Sequence, residues 1–497
     1  MERRDELSAH TFARKRTLAA FLQPDSRVSD EDAPRPVRAM MPSTVMSVVL
    51  VAGCIAWGAI APSAPAGWDK PGEYIIVDTD STTRYVVLPA TGKGGKKTKQ
   101  LHPVLNFASA KLVLDKGKGE VIEVSGEDID ESGIARGATI GIPYAPDRLP
   151  SMEDAEKAKE WAVCEKPGPD AGGSPQQGVF VLGGQDQDAL QGKSRLGEGE
   201  ALYVQDSESG DQYVVDGNGT ALRLGPPGAQ DDPESRVGLL TKLVLRDPGQ
   251  AQPVTPQWLS TLREAGSIEF PQLDSPLGTT PQFSGSEELP EDAQQVGMVL
   301  KSQAGGASYY YVVQQDRLQQ TTPLYANLMM GSLDIQAEPM SVSPGQVSQM
   351  EVEDEVATGG EGWPEDVLIQ VNRAAEGIGS SSRTVSCAVY TGTMTAGEPQ
   401  IATWAGGAYP GNIIAGSASA YVSSGSGLLY QEVTGTGGGG RQYLLTDSGL
   451  RYAVGGEARK RLGYEKAKVA RVPQKLSALL PKGPRLDSDS ASQEQGM

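Results

Sequence analysis

Val45-Met46-Ser47-Val48-Val49-Leu50-Val51-Ala52-Gly53-Cys54-Ile55-Ala56-Trp57 forms the centre of an uncharged, apolar stretch that runs from Ala39 to Trp68. A helix of roughly 20 apolar residues is long enough to cross the hydrocarbon core of a bilayer. Nothing else in the chain is apolar enough to do so. The sequence therefore predicts one transmembrane helix at residues 41–62, between a short N-terminal tail and a body of more than 400 residues.

A cleaved signal peptide is the alternative interpretation of this stretch. Signal peptides have apolar cores of about 7–15 residues close to the N-terminus. This stretch is longer and begins about 40 residues into the chain, and Pro62 disfavours processing at its small residues, so an uncleaved anchor fits better. Arg35 and Arg38 precede the stretch, whereas Asp69 is the first charged residue beyond it. By the positive-inside rule we expect a cytoplasmic tail and a body on the outer side of the membrane.

The charge of the chain is strongly negative and lies in the body. The formal net charge is −19, and the 40 residues of the tail carry eight Lys/Arg and seven Asp/Glu, which nearly cancel. Such an acidic body excludes nucleic acid and anionic membrane surfaces as partners. The 61 Gly and 34 Pro make up about a fifth of the chain, which favours many short strands joined by turns.

Three cysteines are present. Cys54 falls inside the predicted membrane span and is expected to be inert, whereas Cys164 and Cys387 belong to the body. A pair of cysteines in an oxidising compartment usually forms a disulfide. The alternative is two free, buried thiols. A bridge would unite strands from the first and last thirds of the body around one core.

A recurring pattern of two strands separated by a polar turn indicates internal repeats. The second strand of each pair is centred on Tyr, and each pair is typical of a β-hairpin. The alternative is that such strands are simply common β-sequence. The four pairs are Tyr74–Asp78 with Arg84–Leu88, Ala201–Val204 with Gln212–Gly217, Gly297–Leu300 with Tyr310–Val313, and Leu428–Gln431 with Gln442–Thr446. Apolar, helix-like runs follow three of them, at Leu105–Leu114, Leu239–Leu245 and Leu324–Met330.

The predicted fold class is a single-pass membrane protein with a mixed α+β, β-rich extracytoplasmic body, in which four hairpin–helix repeats surround a central core sheet. Strands at Trp161–Cys164, Gly178–Leu182 and Thr384–Tyr390 are expected to build that core. The predicted segments are 1–40, a cytoplasmic tail with an amphipathic helix; 41–62, the membrane helix; 69–125, repeat 1; 126–196, first part of the core; 197–250, repeat 2; 251–293, a linker; 294–345, repeat 3; 346–423, second part of the core; 424–481, repeat 4 and C-terminal closure; and 482–497, a disordered tail.

Signals of enzymatic chemistry are scarce. His10 and His102 are the only histidines, which argues against a zinc site or a Ser–His–Asp triad in the body. Gly192-Lys193-Ser194 and Gly95-Lys96-Lys97-Thr98 end like a phosphate-binding loop but lack its first Gly. Gly435–Gly440 fits Gly-x-Gly-x-x-Gly but lies between two strands, which is typical of a hairpin tip. We therefore expect no catalytic residue, no metal and no cofactor.

An ordered set of motifs resembles one known family. The chain opens with Glu2-Arg3-Arg4-Asp5-Glu6-Leu7-Ser8-Ala9-His10-Thr11-Phe12 and a basic run at Arg14–Arg16. It continues with Leu101–Asn106, Gly141–Pro150, then Trp161 and Cys164, and closes with Leu480–Leu486. The set resembles EccB-type membrane components of the actinobacterial type VII (ESX) secretion system. It departs from the family at Glu6, at Thr11, at Tyr144, where the family usually has Gly, and in the basic insertion Lys93–Lys99.

The resemblance implies a structural subunit in the plasma membrane that anchors and builds the extracytoplasmic part of a secretion complex. Implied partners are an EccC-type ATPase, EccD and EccE membrane subunits, a mycosin protease and further copies of the chain. Some family members are described as ATPases, so an extracytoplasmic ATP hydrolase that takes ATP as cofactor is the alternative function. The tail is expected to dock on cytoplasmic partners through Arg3, Arg4, Leu7, His10, Phe12 and Arg14.

Overall fold

The computed structural model describes residues 2–22, 43–52, 64–91, 95–168, 173–232, 236–333, 338–374, 382–413, 420–435 and 439–495. The described chain divides into two compact units, residues 1–67 and residues 68–497. The first unit contains helix α1 (Glu2–Leu22) and helix α2 (43–52). Within the described ranges, no helix is both long and apolar enough to span a membrane. The other positions of the predicted span 41–62, with Cys54, lie outside the described residues.

The second unit is built from five β-sheets. Four of them follow one order of elements: a three-stranded antiparallel meander, a helix, a strand parallel to the first strand of the meander, a short helix, and a last strand or bridge parallel to the third strand. This mixed α/β, β-rich body with several sheets is the coarse fold class that the sequence predicted.

Sheet 1 has the strand order β4-β1-β2-β3-β5. Its first strand, β1, carries the alternating apolar side chains Ile75 and Val77, and Ile75 and Ile76 are fully buried. Its elements are β1 (Tyr74–Asp78), β2 (Arg84–Thr91), β3 (Lys97–Pro103), α3 (Phe107–Val113), β4 (Glu120–Val124), α4 (Gly126–Glu131) and β5 (Ala135–Arg136).

The central sheet begins next along the chain, after helix α5 (Met152–Ala155). Its first two strands are β6 (Glu160–Lys166) and β7 (Gln176–Leu182), which are antiparallel neighbours. Both strands are buried along most of their length, as expected for strands that are covered on both faces.

Sheet 2 repeats the order of sheet 1 and gains two further strands, one of them contributed by a distant segment. Trp258, at the start of its short second helix, is fully buried. The prediction of a linker at 251–293 is therefore wrong for its first half. The sequence gives little local signal there, because the strands are short and parallel and a single tryptophan provides the buried side chain. The elements are β8 (Glu200–Asp206), β9 (Gln212–Asp216), β10 (Thr220–Leu224), α6 (Val237–Val244), β11 (Leu245–Arg246), β12 (Gln252–Val254), α7 (Pro256–Leu259) and β13 (Arg263–Ile268).

Sheet 3 has the order β17-β14-β15-β16-β18 and is followed by the distant strand of sheet 2. Both β18 and β19 fall inside the range 346–423 that was predicted as core, so that boundary is wrong. The core boundary at 126 is wrong too, because α4 and β5 belong to sheet 1. The elements are β14 (Val299–Ala304), β15 (Ala307–Val313), β16 (Leu318–Thr321), α8 (Pro323–Leu333), β17 (Met340–Val342), α9 (Pro344–Val347), β18 (Val352–Ala357) and β19 (Leu368–Gln370).

The chain then returns to the central sheet, completing the order β21-β20-β6-β7-β22. The three strands predicted for the core, at Trp161–Cys164, Gly178–Leu182 and Thr384–Tyr390, all belong to this sheet. The returning strands are β20 (Val385–Thr395), β21 (Glu398–Gly406) and β22 (Ala420–Val422).

Sheet 4 has the order β25-β24-β23-β26, and Lys482 forms a parallel bridge with Arg451 at its edge. The first helix of this sheet, α10, was not predicted, because its sequence is largely charged. The elements are β23 (Leu428–Val433), β24 (Gln442–Leu445), β25 (Arg451–Ala453), α10 (Gly456–Arg461), β26 (Ala470–Pro473), α11 (Gln474–Ala478) and, beyond the sheet, α12 (Ser488–Ala491).

Local capping fixes where the second helix starts in three of the four sheets. The hydroxyl oxygens of Ser125, Thr255 and Ser343 accept hydrogen bonds from backbone N–H groups three residues later, at 3.2–3.3 Å. These bonds satisfy donors that the first turn of a helix leaves unpaired. In two of these helices a proline follows the cap, where its fixed φ suits the first helical position.

Apolar clusters connect the sheets in the order 1, 4, central, 2, 3. One cluster joins α3 of sheet 1 to sheet 4. A second cluster joins sheet 4, the central sheet and sheet 2, and includes Trp161, Trp258 and Tyr430. A third joins sheet 2 to Leu324 and Leu328 of α8. The sheets at the two ends of the chain are therefore neighbours, and sheets 2 and 3 extend from the other side of the centre.

Tyr144 stands in a backbone conformation that favours glycine. Its φ is +62°, in the left-handed region, which costs a residue with a side chain roughly 1–2 kcal/mol. Its side chain is 87% exposed, so packing offsets little of that cost. The glycine usual in the resembling family suits this conformation better, and nothing in the structure explains the tyrosine.

The C-terminal segment 482–495 is folded, so the predicted disordered tail is wrong. Leu486 is fully buried, and its N–H donates to the carbonyl of Ala453 at 2.9 Å. Helix α12 packs on α3, and the Gln495 N–H donates to the Thr139 carbonyl at 2.8 Å. The segment is polar enough to resemble a disordered one, because only a few apolar side chains hold it. It fastens sheet 4 to sheet 1.

Replacing Leu486 with Ala tests this attachment. Truncating a buried leucine costs about 2–5 kcal/mol through lost burial and the cavity left behind. We expect a lower melting temperature and faster amide hydrogen exchange at residues 451–454 and 107–113. Leu277→Ala is the matched control, because Leu277 is exposed and its truncation should change neither quantity. A Leu486→Ala protein that melts and exchanges like the wild type would contradict the attachment.

Candidate functional site: the central sheet and its attachments

Strand pairing in the central sheet brings together the two body cysteines. Strand β20 pairs antiparallel with β6, and Cys387 lies directly opposite Cys164. Their Cα atoms are 4.0 Å apart and their Sγ atoms 2.04 Å apart, although the two residues are separated by 223 positions in sequence. The Cα separation is shorter than the 4.4–6.8 Å usual for disulfides, because directly opposed residues of antiparallel strands approach closely. Both side chains are fully buried.

Glu165, next to the cysteine on β6, fastens sheet 2 to the central sheet. This fully buried carboxylate accepts hydrogen bonds from the Thr255 N–H at 2.8 Å, the Thr255 hydroxyl at 2.5 Å and the Gln177 amide at 2.9 Å. Burial raises the pKa of Glu165, and the three donors partly offset that effect. Because Thr255 also caps α7, the carboxylate holds the start of that helix.

Two more bonds attach the neighbouring sheets to the same pair of strands. The Trp258 indole N–H donates to the Val163 carbonyl at 2.9 Å, so sheet 2 is held to β6. The Tyr390 hydroxyl donates to the Arg471 carbonyl at 2.7 Å, so sheet 4 is held to β20. Burial raises the pKa of Tyr390 to about 12, which keeps the hydroxyl protonated as a donor. The arrangement is a rigid framework.

The candidate docking residues of the tail lie on helix α1. The side chains of Leu7, His10, Phe12 and Arg14 are exposed. The side chains of Arg3 and Arg4 lie outside the described residues.

The predicted tail helix forms at Glu2–Leu22, and its large apolar side chains Leu7, Leu18, Phe21 and Leu22 lie within about 100° of one another around the helix axis. At about 100° per residue, Phe12 lies about 140° away from Leu7 and Arg14 lies about 20° from Leu7, so the amphipathic character predicted for this helix is weak.

The segments considered for nucleotide binding lie far from any phosphate-loop geometry. Lys193 is exposed on a short 3₁₀ turn, Gly192–Ser194, and Lys97 begins strand β3. Gly435–Gly440 connects two paired strands, with residues 436–438 outside the described part.

His102 lies on strand β3, and its Nδ1 lies 2.9 Å from the Ala138 carbonyl oxygen, which gives this histidine a structural role. The described residues contain no group of three or more His, Cys, Asp or Glu side chains placed to hold a metal ion.

Comparison with known proteins identifies the family. The whole chain, residues 1–497, matches the family described as "Type VII secretion system ESX-1, transport TM domain B". This chain therefore belongs to the EccB family of type VII (ESX) secretion components, as its sequence motifs predicted.

Curated relatives and solved structures agree with this assignment. The chain is 24% identical over 473 residues to "ESX-3 secretion system ATPase EccB3" of Mycolicibacterium smegmatis, covering 91% of this chain and 82% of that one. It is 24% identical to "ESX-1 secretion system ATPase EccB1" of the same species, covering 98% and 94%. Its fold is similar to a chain of an intact ESX-5 inner membrane complex, with a TM-score of 0.59, 22% identity and coverage of 99% and 95%. It is also similar to the EccB3 dimer from an ESX-3 core complex, with a TM-score of 0.60, 22% identity and coverage of 84% and 99%.

Proposed function

We propose that this chain is a structural subunit of a type VII (ESX) secretion membrane complex, in which it anchors and builds the extracytoplasmic part. The observation that carries the proposal is the match of the whole chain to the EccB family. The rigidity of the body supports this proposal, because hydrogen bonds from the adjacent strands β6 and β20 of the central sheet hold sheets 2 and 4 in place.

The proposed topology is a single membrane helix at 41–62 with a cytoplasmic tail and an extracytoplasmic body in the plasma membrane. The uncharged stretch and the basic residues before it support this topology.

We further infer that the four similarly ordered sheets are repeats of one module, since the strand order, the helix positions and the parallel return strands all recur. The proposed partners are EccC-, EccD- and EccE-type subunits, a mycosin protease and further copies of this chain.

The Cys164–Cys387 disulfide is part of this proposal, because an extracytoplasmic body allows it to form. Replacing either cysteine with Ser should lower the free energy of unfolding by roughly 5 kcal/mol in the chain-entropy model, because the bridge closes a loop of over 200 residues. Sheets 1 and 4 should loosen while their hairpins stay folded, since hairpin contacts are local.

Non-reducing peptide mapping of protein from the native membrane should recover both cysteines in one linked pair. Cys54→Ser is the matched control and should leave the mapping and the melting temperature unchanged. Two free thiols at Cys164 and Cys387 would rule out the bridge.

Docking of the tail on cytoplasmic partners is tested by reversing charge at Arg3, Arg4 and Arg14. If each residue contributes about 0.5 kcal/mol to an exposed ionic contact, the triple Glu variant should co-purify with channel subunits roughly tenfold less. The same reversal at the exposed body residues Lys242, Arg246 and Lys475 should leave recovery unchanged. Equal recovery of the two variants would remove the docking role of the tail.

An extracytoplasmic ATP hydrolase is the second candidate function, because curated relatives carry "ATPase" in their names. The two lysine-containing segments lack the first Gly of a phosphate-binding loop, and Gly435–Gly440 connects two paired strands and is not followed by a helix. We expect calorimetry on the full chain in detergent to show no saturable ATP binding that depends on Lys193 or Lys96. Micromolar binding that is lost in Lys193→Gln or Lys96→Gln would instead establish this function.

A further inference from the structure

A cleft at the edge of sheet 4 forms where the C-terminal segment folds back. Strand β24 pairs with β25, and Lys482 continues the sheet as the parallel neighbour of Arg451. The Gly483 N–H donates to the Arg451 carbonyl at 3.0 Å. The resulting cavity has a volume of about 760 Å³, within the range of sites that hold small molecules.

The lining of this cleft is positively charged and contains no carboxylate. Its cationic side chains come from four separate segments of the chain, so only the folded sheet collects them. They are Arg441, Arg451, Arg459, Lys482 and Arg485. This concentration of positive charge stands out in a chain whose net charge is −19.

Three of these cations already have partners. Arg451 is buried, pairs with Glu432 and stacks over the Tyr443 ring at 4.9 Å. Arg459 donates to backbone carbonyls, including that of Tyr464 at 2.7 Å. Arg485 lies 3.4 Å from the Asp487 carboxylate. Arg451 and Arg459 are thereby held in place, so this wall of the cleft is rigid.

The remaining two cations are not neutralised. Within the described part of the chain, neither Arg441 nor Lys482 has a carboxylate within ion-pair distance. Arg459 has only carbonyl partners, so its charge is not neutralised either. Like charges gathered in one hollow repel one another and focus a positive potential there. An anion of matching charge would relieve that repulsion.

The cleft also has room at its glycines. A Cβ atom added at Gly455 or Gly456 would meet no other atom within 4 Å, so this wall is open space.

Arginine side chains present planar, paired N–H donors that match the oxygens of a phosphate group. A phosphate group can carry two negative charges on one centre, whereas a carboxylate carries one. Three uncompensated cations around one cavity suit the more highly charged group.

We propose that the cleft lined by Arg441, Arg459 and Lys482 binds a phosphate-bearing anion. A soluble phosphate compound and a phosphomonoester lipid headgroup, such as that of phosphatidic acid, share this chemistry. The site is separate from the proposed assembly function, because it involves neither the central sheet nor the tail.

Calorimetric titration of the full chain in detergent, with inorganic pyrophosphate as the probe, tests the proposal. We expect saturable binding that is at least about a hundredfold weaker in Arg441→Gln/Lys482→Gln, because each lost charge-assisted hydrogen bond weakens binding by roughly tenfold. The matched control is Lys242→Gln/Arg246→Gln, which removes two exposed cations from sheet 2 and should bind like the wild type.

Gly456→Glu places a negative charge in the open part of the cleft without a steric clash at Cβ, and should abolish binding while the melting temperature is kept. No saturable binding by the wild type, or unchanged binding by the Arg441/Lys482 variant, would overturn the site.

Two further titrations separate the possible ligands. Dihexanoyl-phosphatidic acid, a soluble lipid, presents a phosphomonoester headgroup. If the lipid binds more tightly than pyrophosphate, and the Arg441/Lys482 and Gly456 variants lose that binding, the natural ligand is a lipid headgroup. Tighter binding of pyrophosphate than of the lipid indicates a soluble phosphate compound. Citrate presents carboxylates alone, and citrate binding as tight as that of either phosphate probe would overturn the assignment to phosphate.

Discussion

The pairing of β6 with β20 is the contact on which the rest of the body depends. It joins residues 161–165 to residues 386–390, which are separated by about half of the body's sequence. Closing so long a loop costs conformational entropy before any contact is gained. The buried cluster around Trp161, Trp258 and Tyr430 offsets that cost, because it draws side chains from three sheets into one core. Sheets 2 and 4 are held in place against this pair of strands.

The C-terminal end of the body is also held by a small number of contacts. Few apolar side chains hold the segment after Pro481, yet it closes sheet 4 against sheet 1 and completes the wall of a positively charged cleft. A framework that holds sequence-distant sheets by buried bonds suits a protein that must present fixed surfaces to several partners. Family membership and this rigidity lead to the same function, a structural component of the secretion machinery.

Local sequence patterns predicted the hairpins well, because each Tyr-centred strand alternates in register with a neighbour close in sequence. They also predicted strands β6, β7 and β20, whose apolar runs mark a sheet covered on both faces. They failed for β12, β13 and the segment after Pro481, since short parallel strands gain their stability from partners far along the chain. The sequence did not predict the cationic cleft for a related reason. Its cations are separated in sequence and meet only in the folded sheet, as Arg441, Arg459 and Lys482 do. Charge and composition alone would have described this body as uniformly acidic.

The central claim is that this chain is a built-in subunit of a membrane secretion complex. Its most direct test is purification of the tagged, full-length chain from its native membrane in mild detergent, followed by identification of everything that accompanies it in fixed proportion. The account predicts recovery of EccC-, EccD- and EccE-type subunits together with more than one copy of this chain in a single large assembly. Recovery of the chain alone, or with partners that vary from one preparation to the next, would contradict it.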